Sequence, residues 1–484
     1  MKKYLFVSVA ALIAVPALSQ IMPRNLTPRE TPALERTANE PLRSAADDGE
    51  WIKLGTGMFT DFVVSAMYGY KTAPIEADFQ QSVSDPNTYR IYRPYANFTD
   101  RRAEGLTYNP ANATPLVFHL IDGQYAWFES FDTGLFVNTA DIYGPIVGEV
   151  TVTPSMETFI NQYGLPTVID QIPTSLCVFK EGTLTLTTDC QVPTVSGYSS
   201  YPTVCIKIDG EEMYNGNRND AFKMQLPDAK DLSDEFKWTT MEGKALFTDG
   251  FSSLFAYQDE PQSPVFDVEI QQNVADPTLY RLVNPYADWN LNYSSYEFEY
   301  DTNDNYYMKI YTFPEYNNAC TNIFYTGLMT KIKGEDEPFE VFGVQSQAYY
   351  FYESYAKKYG WYLSETADDF GYMFGNFEDG VFSCPATYED DYYGQIVEFP
   401  TFTGWRGSYD EALENDWLYT VNRQGTFKVV FPEAREEDDI TAISIDNETS
   451  AAEYFDMMGR RVLNPVPGSI VIERRGNKSV KIIR

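Results

Sequence analysis

Histidine is almost absent: the 484 residues hold one, His119. That excludes a multi-histidine metal site and any histidine-based triad not built on this residue. His119 sits in a strand-like apolar run, "LVFHLID", and is expected in the core. Cysteine is scarce too. Cys177, Cys190, Cys205, Cys320 and Cys384 are too few for a disulfide scaffold, and their odd number leaves at least one unpaired within the chain. They are expected as small buried hydrophobes. Basic residues are outnumbered, 36 Lys and Arg against 70 Asp and Glu, for a net charge of −34. So acidic a surface repels phosphate backbones and argues against a nucleic-acid partner. No cysteine pair has zinc spacing, and no glycine-rich phosphate loop joins a strand to a helix. No metal or cofactor is expected. "DTNDNYY", from Asp301, begins like a calcium loop, but Tyr306 and Thr312 stand where the glycine and closing glutamate belong. A solvated turn is expected there.

Long apolar runs are also missing. The one at the start, "MKKYLFVSVAALIAVPALSQ", has Lys2 and Lys3, an apolar stretch from Tyr4 to Val15, and the small residues Ala17 and Ser19 before Gln20. It reads as a secretory signal peptide over residues 1–19, too short for a membrane span. No transmembrane span is expected in the remainder, and the protein is expected to be exported. Residues 20–50, rich in Pro, Thr, Arg and Glu, read as a flexible arm.

What is present in quantity is repetition. "DPNTYRIYRPYA" from Asp85 returns as "DPTLYRLVNPYA" from Asp276. Phe59-Thr60-Asp61 matches Phe247-Thr248-Asp249, Tyr163-Gly164 matches Tyr359-Gly360, and Gly182 matches Gly380. "NRNDAFKMQLPDA" from Asn217 answers "NRQGTFKVVFPEA" from Asn422. The separation grows steadily, from 187 residues at the tryptophans (51 and 238) to 205 at the asparagines (217 and 422). An offset that only grows means collinear copies with insertions in the second. The chain therefore carries two homologous modules, residues 51–229 and 238–434. Segments such as "GEVTVTP", "GTLTLTTD" and "TVCIKIDG" alternate with period two between turn residues. The expected class is mainly β: two tandem antiparallel modules, sandwich-like or alternatively barrel-like, followed by an acidic linker (435–442) and a small C-terminal β segment (443–484).

The repeated phrase reads as scaffold. Asp-Pro opens a turn, a short strand follows, and a later proline ends it. Arg90 and Arg281 stand out as charges kept mid-strand in both copies, and structural ion pairs Arg90–Asp61 and Arg281–Asp249 are expected. Aromatic residues are abundant: 37 Tyr, 32 Phe and 7 Trp. They peak in "AYYFYESYAKKYGWYL", 348–363, which has no comparable density in the first copy. Tyrosine is amphipathic and suits both cores and binding surfaces. Tyr349, Tyr350, Tyr352, Tyr355, Trp361 and Tyr362 are the candidate ligand-binding residues.

The end of the chain has an aromatic-Asp entry (Tyr454, Phe455, Asp456), Met-Gly-Arg-Arg-Val, a turn at Pro467-Gly468 and a basic last strand. It resembles the C-terminal sorting tails of secreted Bacteroidetes proteins, which implies a small β-sandwich recognised by type IX secretion machinery. The duplicated modules resemble a tandem "W…G…YTD…YR…NPY" repeat of surface proteins in the same group. The resemblance implies extracellular or cell-surface residence and no known activity. The sequence thus predicts an exported, non-catalytic protein that binds glycan or another surface polymer. Two alternatives are open: a carbohydrate hydrolase using paired carboxylates, and a structural adhesin or surface-layer component.

Overall fold

The computed structural model describes residues 50–69, 72–98, 105–141, 144–217, 222–251, 264–289, 295–390, 397–435, 453–455, 461–462, 470–475 and 478–483. The expected signal peptide, nearly all of the arm and most of the acidic linker lie outside them. The chain divides into two compact units, residues 1–434 and 435–484.

The first unit is mainly β, and its two repeats form two similar closed barrels of eight antiparallel strands. Of the two β architectures expected, the barrel is the one formed. In module one the wall runs through Trp51–Thr60, Ile75–Ser82, Thr88–Ile91, Leu116–Ile121, Tyr125–Phe128, Cys177–Lys180, Thr183–Thr185 and Lys223–Gln225. In module two it runs through Trp238–Thr248, Val265–Asn273, Leu279–Val283, Tyr307–Phe313, Asn318–Thr321, Gly375–Glu378, Val381–Ser383 and Lys428–Val430. Each barrel is a meander in chain order, with the eighth strand closing on the first.

Closure depends on how the first strand bends. A bulge interrupts its pairing between Lys53 and Gly55 in one module and between Thr240 and Lys244 in the other. Gly55 and Gly243 there have φ of 119° and 88°, which only glycine adopts at little cost. Beyond the bulge the strand pairs on both sides. Phe59 lies between Ile75 and Met224, as Phe247 lies between Phe266 and Val429. A closed wall leaves no strand edge exposed.

After the third, fifth and seventh strands the chain leaves each barrel to build a five-stranded sheet. Before the sixth strand it forms two short helices, Ser155–Tyr163 and Leu165–Gln171 in module one, Gln347–Ser354 and Leu363–Asp369 in module two. Barrel interior and sheet share one core per module, with Phe59, Phe118, Phe128 and Ile206 in one and Phe247, Met308, Phe402 and Phe427 in the other. An eight-stranded barrel is just wide enough for such side chains to fill.

The shared landmarks do the same work twice. Asp85 accepts hydrogen bonds from the Asn87 amide and Thr88 Oγ1; Asp276 accepts from the amide and Oγ1 of Thr278. The hydroxyl of Tyr89 accepts from Gln81 Nε2, and that of Tyr280 from Gln272 Nε2, each at 3.0 Å. Asn217 donates to the carbonyls of Leu186 and Thr187 and accepts the Phe222 amide. Asn422 donates to those of Cys384 and Pro385 and accepts the Phe427 amide. All five cysteines are buried and in the thiol form. His119 is half-buried, stacked on Trp127 at 4.2 Å and bonded to Thr88 Oγ1 and Glu129.

The second unit contains strands Glu453–Phe455, Arg461–Val462, Ile470–Arg475 and Lys478–Ile483, joined in one antiparallel sheet. Among the described residues, no helix is long and apolar enough to cross a membrane.

Candidate functional site

Two places in the first unit bring chemistry-bearing side chains together. The first is the aromatic run of module two. The N-cap Ser346 accepts the Tyr349 amide at 3.1 Å and starts the helix Gln347–Ser354. Spacing by four residues then lines up Phe351, Tyr355 and Tyr359, with centroids 5.3 and 5.0 Å apart. Phe351 meets Phe370 at 4.9 Å, and the row continues through Tyr372, Tyr388 and Phe399 at 6.3, 5.9 and 5.7 Å. Trp361 packs on Phe370 at 5.6 Å. Tyr362 opens the next helix, its amide donating to Glu365 Oε2 at 2.8 Å. Tyr355, Tyr359, Tyr362 and Tyr372 are exposed, at 50, 69, 71 and 38%.

The six residues expected to bind therefore separate. Tyr355 and Tyr362 face solvent, while Tyr350, Tyr352 and Trp361 are half-buried. Tyr349 stacks on Tyr311 at 5.4 Å and packs on a small core with Phe313, Cys320 and Phe374. Tyr359 and Tyr372 join the exposed row without having been expected to bind; Tyr359 lies inside the quoted run and was read only as the repeat partner of Tyr163, and Tyr372 gives no local signal. In module one the matching helix turns its rings inward: Phe159 and Tyr163 are buried.

The expected ion pairs do not form as drawn. Asp61 accepts the amides of Val63 and Val64, and Asp249 accepts the Phe251 amide and the Tyr286 hydroxyl. Both carboxylates thus serve the turn that ends the first barrel strand. Arg90 and Arg281 instead stack on the opening tryptophan of their own module, 4.1 Å from Trp51 and 4.2 Å from Trp238. Their Nε atoms donate to Gln80 and Gln271, each at 2.7 Å. Arg281 does meet a carboxylate, but it is Glu76 of the other module, at 3.4 Å.

That contact belongs to the second place, the joint between the barrels. Glu76, on strand Ile75–Ser82, accepts Trp238 Nε1 at 2.6 Å and pairs with Lys309 as well as Arg281. Burial alone would raise its carboxyl; Lys309 and Arg281 hold it below the usual value. Asp78, two residues on, accepts from Thr56 Oγ1 at 2.9 Å and Tyr307 OH at 3.0 Å, and burial pushes its carboxyl up. The "DTNDNYY" segment is no solvated turn. Asp301 and Asp304 are buried, Arg93 pairs with Asp301 at 3.1 Å and Lys53 donates to the Asp304 carbonyl at 2.6 Å. Burial, with Asp78 adding repulsion, pushes the Asp304 carboxyl up to about 7. Among the described residues no group of three or more His, Cys, Asp or Glu could hold a metal ion. The signal for this segment was in the sequence: residues 301–306 stand where module one has only 114 and 115 between the matching strands.

Between these residues lies a cavity of about 200 Å³, walled by Phe98 and Tyr108 from module one and Tyr307, Tyr325 and Trp405 from module two. No protein-family model, curated protein or solved structure matches this chain.

Proposed function

We propose that the protein is an exported, non-catalytic binding protein that holds a glycan or another surface polymer on the aromatic face of its second module. One observation carries the reading: a continuous row of rings from Tyr359 to Phe399, with Tyr355, Tyr359 and Tyr372 open to solvent. Exposed rings set side by side bind by stacking on the C–H faces of sugar rings, and phenol hydroxyls can hydrogen-bond to sugar hydroxyls. Contiguous exposed aromatic surface on a soluble domain is a mark of interaction rather than of packing. A separate shallow groove of about 490 Å³, which none of the row's rings lines, is lined by Tyr349, Tyr352 and Glu353 of the same helix together with Tyr311. The signal-peptide pattern and the sorting-like tail support placement at the cell exterior, with secretion machinery as the partner of the tail.

Affinity electrophoresis of the full chain through polysaccharide-loaded gels tests this. Retardation is expected on at least one polymer, and Tyr355→Ala with Tyr359→Ala should abolish it while the melting temperature stays within about 2 °C, since both rings are exposed. Unchanged retardation in that double variant would overturn the reading. A hydrolase has one observation in its favour: buried carboxyls at the joint shifted in opposite directions, Glu76 down and Asp304 up. But Glu76 is held by three donors, Lys309, Arg281 and Trp238, which leaves it poorly placed as a nucleophile or base. No new reducing ends are expected when the same polymers are incubated with the protein.

A further inference from the structure

The joint between the barrels holds two buried polar groups that nothing among the described residues satisfies. Trp405 is fully buried, and its indole N–H has no hydrogen-bond partner; the buried hydroxyl of Tyr108 has none either. Such a group, stripped of water and given no partner, destabilises a closed interior. Both residues line the same cavity, one from each module, and Asp78 and Asp304 line it too. We propose that this cavity is a binding site for a single neutral, hydroxyl-bearing ring, a monosaccharide or the end unit of a glycan.

The choice of ligand follows from the set of groups. The indole can only donate, an ionised carboxylate can only accept, and the phenol does either. A sugar hydroxyl both donates and accepts, so one ring can serve all of them. An ammonium ligand could not accept from the indole. An anion would lie against two acidic side chains, Asp78 and Asp304. The two cations lining the cavity are already matched, Arg93 with Asp301 and Lys309 with Glu76, so neither is left for an anionic ligand to balance. Phe98, Tyr307 and Tyr325 supply apolar walls for the ring's C–H faces. About 200 Å³ is less than the roughly 300–1,000 Å³ of clefts that take drug-sized ligands, and suits one ring rather than an oligomer.

This site is separate from the exposed aromatic row and does not depend on it. Titration calorimetry and saturation-transfer NMR on the full chain, with glucose, galactose, mannose and N-acetylglucosamine as probes, test it. Saturable one-to-one binding of at least one of these sugars is expected, and it should survive in the Tyr355→Ala/Tyr359→Ala variant. Tyr108→Phe should weaken it about tenfold, the loss of one hydrogen bond, with the melting temperature unchanged or raised because an unsatisfied hydroxyl has gone. Asp304→Asn should weaken it to a similar degree. The proposal is overturned if none of the four sugars saturates, as for a cavity that only holds water, or if ethanolamine or acetate binds in their place. It is also overturned if Tyr108→Phe lowers the melting temperature and leaves sugar affinity untouched.

Discussion

Glu76 offers the sharpest test of how the two barrels are held together. Its carboxylate lies on module one, while its three donors, Trp238, Arg281 and Lys309, lie on module two. Replacing it by glutamine keeps the size and an acceptor for Trp238 but removes the counter-charge of two cations, of which Arg281 is fully buried and Lys309 largely so. Breaking a buried ion pair by deleting one partner costs about 3–5 kcal/mol, because the remaining charge stays desolvated. We expect Glu76→Gln to lose about 3 kcal/mol at neutral pH and Glu76→Ala about 1–2 kcal/mol more, since the Trp238 N–H then loses its acceptor. Urea unfolding followed by tryptophan fluorescence measures this, and a second transition should appear as the modules separate. The pH dependence has a definite sign. The folded carboxyl is held below its ordinary value of 4.5, so its stabilisation is complete above that value and is lost as pH falls through the folded one. The gap between wild type and Glu76→Gln should therefore narrow in acid. Removing a cation together with the carboxylate, as in Glu76→Gln/Lys309→Met, should recover part of the loss. A Glu76→Gln protein within about 0.5 kcal/mol of wild type at pH 7 would refute the argument, since that is the spread of ordinary surface changes.

Asp304 should behave in the opposite sense. Its folded carboxyl, at about 7, stands above its ordinary 3.8, so its stabilisation is present below about 4 and lost as pH rises through 7. The unfolding free energy of Asp304→Asn, from urea titrations, should vary less with pH than that of wild type between pH 4 and 7, and be higher at pH 8, by up to about 4 kcal/mol. Asn217→Ala and Asn422→Ala should each cost about 3 kcal/mol by the same assay, because each strands two carbonyls and one amide at the same turn. Tyr89→Ala and Tyr280→Ala should each cost about 2–3 kcal/mol, less than a fully buried aromatic, since both rings are half-buried against Phe118 and Phe431. Any polymer binding by the Tyr89 and Tyr280 variants should fall only as far as their folded fraction does, read by gel retardation against circular dichroism.

The duplication and the β class were legible because both rest on local pattern. Turn chemistry is local: Asp85 and Asp276 bond to amides two residues away. So is the period-two alternation that makes strands. Gly182 and Gly380, kept in both copies, sit at φ of 81° and 74° where an added Cβ would strike Ala229 or Ala434. The aromatic run was legible as a cluster of rings, but not as a surface. Whether Tyr355 is open while Tyr349 is stacked on Tyr311 depends on which helix face meets the barrel, and a partner 38 residues away decides that.

The ion pairs misled for a related reason. Arg90 and Asp61 are both kept, but conservation between copies does not say which polar group faces which. Gln80 and Trp51 surround Arg90 because the first three barrel strands pair in order, Gln80 directly opposite Arg90 and the strand of Trp51 next beyond it. The joint was further out of reach. Glu76 finds Arg281 across 205 residues and Lys309 across 233, and in the sequence each is one more charge in a chain rich in charges. Sequence alone determined two β modules, their turns and their order. Only the tertiary structure decided that the strands close into barrels, that one barrel lies against the other, and that carboxylates written like surface residues are buried there. The physical reason is that alternation and turn chemistry act over a few residues, whereas desolvation of a charge depends on everything that packs around it.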